Sequence, residues 1–307
     1  MTSASPASTR ASESTHWSRE SKQVTLSDGR RIGYAEFGAA GGRPVLYCHG
    51  FPASRLDGRL GHEAALRLGL RLIAPDRPGY GLSDYQPHRR ISDWPRDVLG
   101  LVEGLSLDRF AVLGISGGAP YAIACAAALA DRVTAVGIVC GLGRVDIPQN
   151  VARMNPFARF SFVLARRVPR LSRLLNRALA PALRDSPHWV LKLLSSRLPP
   201  ADRKVLSDPT TFAIFADAFR EGFRQGGRGA ALDLTLYARP WETAPESMRV
   251  PCHVWHGEQD TTVPVEMGRW LARSVPGCRS NFFPDDGHFS LPVNRIDGIL
   301  EALAAAQ

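Results

Sequence analysis

Between the apolar run Phe110-Ala111-Val112-Leu113 and a helix-like stretch from Ala119 to Ala130 the chain carries Gly114-Ile115-Ser116-Gly117-Gly118. Read as a strand, a glycine-flanked serine and a helix, this stretch sets a tight condition on the fold. The serine must sit on a sharp, strained turn with its oxygen exposed above a sheet, and glycines on either side remove side chains that would collide there. Alone, the pentapeptide reads equally well as a flexible loop. A serine hydroxyl becomes a useful nucleophile only when a base takes its proton and a third group orients that base.

Two later segments supply such groups. In Val250-Pro251-Cys252-His253-Val254-Trp255-His256-Gly257-Glu258-Gln259-Asp260 an alternating strand runs into an acidic turn, and Pro264 then opens a helix. In Asn281-Phe282-Phe283-Pro284-Asp285-Asp286-Gly287-His288 a short strand is followed by an acidic turn and a histidine. The chain order is Ser116, Asp260, His288, and in a parallel sheet all three fall just past the carboxyl ends of their strands. Asp260 is therefore expected to be the orienting acid, with Asp146, after the apolar run Val133 to Cys140, as the fallback. His288 is the expected base.

Acyl transfer also needs amide hydrogens aimed at the developing oxyanion. One should be Gly117 N–H. The other should be Phe51 N–H, at the end of Val45-Leu46-Tyr47-Cys48-His49-Gly50-Phe51-Pro52, because Pro52 has no N–H to offer. His49 is expected to brace that loop.

Together, His49-Gly50-Phe51-Pro52, the segment Asp76-Arg77-Pro78-Gly79-Tyr80-Gly81-Leu82-Ser83-Asp84, the serine turn, Gly257 through Pro264 and Gly287-His288 resemble the α/β-hydrolase superfamily. The resemblance covers roughly residues 23–140 and 248–305. It implies an α/β fold: a mostly parallel eight-stranded sheet with helices on both faces and a helical lid inserted after the sixth strand. The corresponding division is a disordered tail at 1–22, a core at 23–141 and 247–307, and a lid at 142–246. Asp76 through Asp84 would be a structural turn. Superfamily members that act as epoxide hydrolases or haloalkane dehalogenases use an aspartate nucleophile, whereas position 116 here is serine.

The resulting expectation is a cofactor-independent serine hydrolase acting on an ester, lactone or related acyl bond of a small, partly apolar molecule. Carbon–carbon bond hydrolysis, perhydrolase or haloperoxidase activity, and a receptor-like protein with low turnover remain alternatives on the same triad. Acyl length, stereochemical preference and oligomeric state have no motif in the chain.

Composition adds limits. No apolar stretch is long enough to span a membrane, and residues 1–22 lack the apolar centre of a secretion signal. The five cysteines show no metal-ligand spacing, so neither zinc nor another cofactor is expected, and reduced, buried thiols fit a cytoplasmic protein. The net charge of +9 comes almost wholly from arginine. No nucleic-acid motif or aromatic platform accompanies it, so nucleic acid is not an expected partner.

Within the lid segment, Val151 to Arg184 holds eight arginines and no acid. Leu171, Leu174, Leu175 and Leu179 recur at helical spacing with Arg173 and Arg177 on the opposite face, a basic amphipathic helix. Solvated arginines on a lid helix, attraction of an anionic substrate, and peripheral contact with an acidic membrane all fit that pattern. Asp208-Pro209 should start another lid helix closed by Gly226-Gly227. On it Phe212, Phe215, Phe219 and Phe223 form a stripe that packs over the core or lines an acyl pocket, with Trp189, Tyr237 and Trp241 as candidate neighbours.

Overall fold

The computed structural model describes residues 19–306. Eight strands form one sheet in the order β1-β2-β4-β3-β5-β6-β7-β8. They are β1 (Lys22–Thr25), β2 (Arg31–Gly38), β3 (Arg43–Cys48), β4 (Leu70–Pro75), β5 (Phe110–Ile115), β6 (Val133–Val139), β7 (Cys252–Gly257) and β8 (Arg279–Phe283). The β1–β2 and β2–β4 pairings are antiparallel and the other five are parallel.

The central strands are apolar on both faces, as a sheet covered on both sides requires. Along β5, Phe110 and Val112 enter one core, and Ala111, Leu113 and Ile115 enter the other. The first core is closed by α2 (Trp94–Gly104), α3 (Ala119–Ala128) and α11 (Val265–Ser274). The second is closed by α1 (His62–Arg67) and α12 (Ser290–Ala305).

Seven helices lie between β6 and β7, where the resemblance put the lid: α4 (Pro148–Val151), α5 (Pro156–Arg167), α6 (Pro169–Asp185), α7 (Pro187–Ser195), α8 (Pro200–Leu206), α9 (Pro209–Gly222) and α10 (Arg228–Tyr237). The Asp208 carboxylate accepts the Thr211 N–H at 2.7 Å, so α9 starts on the cap the sequence predicts.

One boundary differs. Residues 1–18 of the expected tail lie outside the described residues, but 19–22 are not a tail. Glu20 is buried, its carboxylate accepts two N–H groups of Arg59 at 2.7 and 2.8 Å, and its carbonyl accepts Arg55 Nε at 2.6 Å. Lys22 already opens β1. The serine- and threonine-rich composition upstream hid this anchor, because a glutamate is buried only where a long-range cation meets it.

Candidate active site

Ser116 follows β5 directly and holds φ at 51°, a left-handed conformation that L-residues rarely adopt. Its neighbours explain why the turn needs glycine. A Cβ at Gly118 would stand 2.1 Å from the Cys48 carbonyl oxygen, and one at Gly114 would stand 2.8 Å from Ala122 Cβ. A hydrogen at Gly114 lets α3 close on β5, and one at Gly118 lets the turn close on the end of β3.

Asp260 and His288 meet past the ends of β7 and β8. His288 Nδ1 lies 2.7 Å from Asp260 Oδ2, while Asp260 Oδ1 accepts the N–H groups of Thr262 at 2.9 Å and Val263 at 2.7 Å. Burial alone would push the Asp260 carboxyl up. The charge and hydrogen bonds of His288, with His256 beside it, hold it well below the usual carboxylate range. Asp146, the fallback acid, is instead bound to Arg144 at 2.5 Å, and Glu258 pairs with Arg269 at 2.6 Å.

The loop after β6 ties the serine to the histidine. Leu142 N–H donates to the Ser116 carbonyl at 2.9 Å, and Cys140 Sγ lies 3.6 Å from the Gly287 carbonyl, next to His288.

A fourth carboxylate, Asp202 on α8, escaped the sequence reading. It is buried and accepts the backbone N–H groups of His288 at 3.0 Å, Phe289 at 3.0 Å and Ser290 at 2.8 Å, as well as the Ser290 hydroxyl at 2.9 Å. The lid thus caps the amino end of α12 and fixes the backbone that carries His288. Its only trace in the sequence is an acid in the first turn of a proline-started helix, which says nothing of its partner.

The loop after β3 is held from behind. The Gly50 carbonyl accepts from Arg77 Nη2 at 3.1 Å and lies 2.8 Å from His49 Nδ1, and the His49 carbonyl accepts Arg77 Nη1 at 2.5 Å. A trans peptide is planar with its carbonyl and N–H opposed. Gripping the Gly50 oxygen on one side therefore aims the Phe51 N–H away from Arg77. Phe51 N lies beside Gly117, 3.3 Å from where a Gly117 Cβ would stand. His49 is fully buried and accepts the Arg77 N–H on Nε2 at 3.2 Å; burial and the Arg77 charge keep it neutral.

Arg77 is itself held by the lid. Asp233 on α10 accepts Arg77 Nε at 2.8 Å and the Tyr80 hydroxyl at 2.9 Å, and it also pairs with Arg89 and Tyr121. One turn later the Tyr237 hydroxyl donates to the Gly117 carbonyl at 2.7 Å. Burial would raise the Asp233 carboxyl, but Arg89 and Arg77 hold it far below the usual range. A lid helix thus grips both the loop after β3 and the serine turn.

Asp57 is buried beside this loop without a cationic partner among the described residues, and accepts the Gly50 N–H at 3.1 Å. Burial raises its carboxyl to about 6.

The phenylalanine stripe of α9 divides its contacts. Phe215 packs on Phe289, ring centroids 5.1 Å apart, and Phe289 on His288 at 5.3 Å; Phe223 packs with Tyr80. Tyr237 and Trp241 are buried, whereas Trp189 is 66% exposed and joins none of these contacts.

Cys140, His256 and Asp260 bring potential metal-ligand atoms within 4.8 Å of one another. Those atoms already have protein partners: His288 on Asp260, the Val263 carbonyl at 2.8 Å on His256 Nε2, and the Gly287 carbonyl on Cys140.

The family model for the alpha/beta hydrolase fold matches residues 43–294. The chain is 38% identical over 146 residues to haloalkane dehalogenase 2 of Mycobacterium tuberculosis, covering 46% of this chain and 47% of that one. It is 39% identical over 97 residues to a non-heme chloroperoxidase of Streptomyces lividans, covering 31% and 35%. In sequence the chain thus spans less than half the length of these curated relatives. An esterase of Thermogutta terrifontis superposes with a TM-score of 0.69 over 93% of this chain and 98% of its own, at 22% identity.

Proposed function

Because the chain belongs to the alpha/beta hydrolase fold family, we propose that it is a serine hydrolase that opens an ester, lactone or related acyl bond through an acyl-enzyme. The observation that carries this reading is the buried Asp260–His288 pair, joined at 2.7 Å, at the same end of the sheet as a serine on a left-handed turn. Position 116 is serine, which separates this chain from the aspartate-nucleophile chemistries of the superfamily.

In this reading His288 Nε2 takes the Ser116 proton as Oγ attacks the substrate carbonyl. Asp260 steadies the imidazolium from Nδ1, and the N–H groups of Phe51 and Gly117 receive the oxyanion. His288 then gives its proton to the leaving oxygen. Water, deprotonated by the same imidazole, releases the acid. No cofactor enters any step. Phe51 and Phe289, both half-buried beside these groups, favour a substrate with an apolar acyl part.

A fluorophosphonate should label the protein once, on Ser116 by peptide mapping, and a panel of p-nitrophenyl esters of graded acyl length should show turnover without peroxide. Labelling elsewhere would remove the assignment. Turnover that required peroxide would favour the haloperoxidase reading suggested by the chloroperoxidase similarity.

The pH dependence follows from the charges around His288. Burial disfavours the imidazolium, but Asp260, then Asp202 and Asp57, outweigh it and raise the pKa above the ordinary 6.5. The base works only when neutral, so the acid limb of kcat/KM should lie above pH 6.5. Asp260→Asn should move the limb to lower pH and reduce kcat by up to about 10⁴. A limb unchanged by that substitution would show that another group titrates.

A further inference from the structure

We propose that the outer face of the lid, formed by α5, α6 and α7, is a docking surface for an anionic lipid bilayer. Of the twelve large hydrophobic side chains exposed among the described residues, eleven lie between Phe157 and Leu194. Phe157 is 69% exposed, Leu174 65% and Trp189 66%.

Their placement on each helix shows that this is a face. At about 3.6 residues per turn, Leu171, Leu174, Leu175 and Leu179 make one stripe of α6, and Arg170, Arg173 and Arg177 a second. Neither is the buried one: Ser172 and Ala180 point inward, and both are almost fully buried. The same inversion holds on α5, which exposes Phe157, Phe160 and Val163 and buries Ala165. On these helices Phe162, Leu183 and Leu191 pack inward, but most of the large apolar side chains lie outside. A concentrated apolar patch of this kind marks an interaction site.

Charge selects the occupant. Arg153, Arg159, Arg166, Arg167, Arg170, Arg173, Arg177 and Arg184 are all exposed, and Asp185 is the single acid from 151 to 201. Only Arg153 and Arg184 of the eight carry a salt bridge among the described residues. A second copy docked by the same patch on a two-fold axis would bring arginines against arginines. An anionic lipid surface takes both features at once, with the apolar residues among the acyl chains and the guanidinium groups at the phosphates. No helix among the described residues is long and apolar enough to cross a membrane, so the contact is peripheral.

The experiment is vesicle co-sedimentation of the full chain with phosphatidylcholine alone and with an equimolar mixture of phosphatidylglycerol. Binding to the mixed vesicles, at least about tenfold stronger than to the neutral ones and weakened by salt, is expected. The triple variant Arg170→Gln, Arg173→Gln, Arg177→Gln should weaken that binding by on the order of a hundredfold. The triple variant Leu171→Gln, Leu174→Gln, Leu175→Gln should lose roughly tenfold or more even in low salt. Circular dichroism spectra matching wild type keep either loss attributable to the surface. Equal binding to both vesicles, or to neither, would overturn the proposal. So would sedimentation velocity showing a dimer that the leucine substitutions dissociate, since the patch would then be filled by a second copy. Vesicle binding needs no turnover, so it can fail while fluorophosphonate labelling of Ser116 succeeds.

Discussion

Ser116→Ala is expected to lower kcat for ester hydrolysis by about 10⁴ to 10⁶ while leaving the folded protein intact. The size follows from the proposed chemistry: there the hydroxyl would carry the covalent intermediate, and the amide donors and binding contacts alone would retain only a small part of the acceleration. Cys140, whose sulfur lies 3.6 Å from the Gly287 carbonyl, is not a ready substitute, because it is fully buried and its thiol is pushed well above the usual range by burial and by Asp260. Steady-state kinetics on a p-nitrophenyl ester, with unfolding by urea as the control, gives the answer. Retention of more than about a tenth of wild-type kcat would place the nucleophile elsewhere.

The second large effect is on stability. Asp233→Asn should cost about 3–5 kcal/mol, because it leaves two buried guanidinium groups without a counter-charge. Arg77, Arg89 and Asp233 are all almost completely shielded from water, and Asp233 also receives the hydroxyls of Tyr80 and Tyr121. The urea midpoint should fall with an unchanged m-value, the sign of lost stability without a change in the surface exposed on unfolding. Activity should fall as well. Arg77 no longer held by the lid cannot fix the Gly50 carbonyl, and the Phe51 N–H loses its aim. In the proposed role of that N–H as an oxyanion donor, its loss should cost about 10²- to 10³-fold in kcat, with KM changing little. A variant with the midpoint of wild type would show that water, rather than Asp233, satisfies the two arginines.

Local geometry explains which parts of the candidate site are legible in the sequence. A strand-to-helix turn closed at Gly114 and Gly118, an acid after one strand and a histidine after the next are each set by a few adjacent residues, and chain order then places them at the carboxyl ends of parallel strands. The Asp260–His288 hydrogen bond joins two of those segments, whereas the hold of Arg77 on the Gly50 carbonyl had no signal in the sequence beyond a structural turn. Asp202 and Asp233 were not legible, because each works on a partner far along the chain. Asp202 caps a helix 86 to 88 residues away, and Asp233 grips an arginine 156 residues away. On a lid helix, a buried carboxylate and a solvated one look alike in sequence.

The amphipathic helix α6 shows the same division from the other side. Spacing alone determined that leucines and arginines form separate stripes, since the helical period is a property of the backbone. Which stripe faces inward was decided only by packing, and there Ser172 and Ala180 won over the leucines. The amino-acid order thus determined the fold class, the serine turn and the acid and histidine that meet at the same end of the sheet, all of which rest on short-range geometry and chain order. The tertiary structure alone decided what the lid holds and what it exposes, because burial and ion pairing depend on neighbours that chain distance does not name.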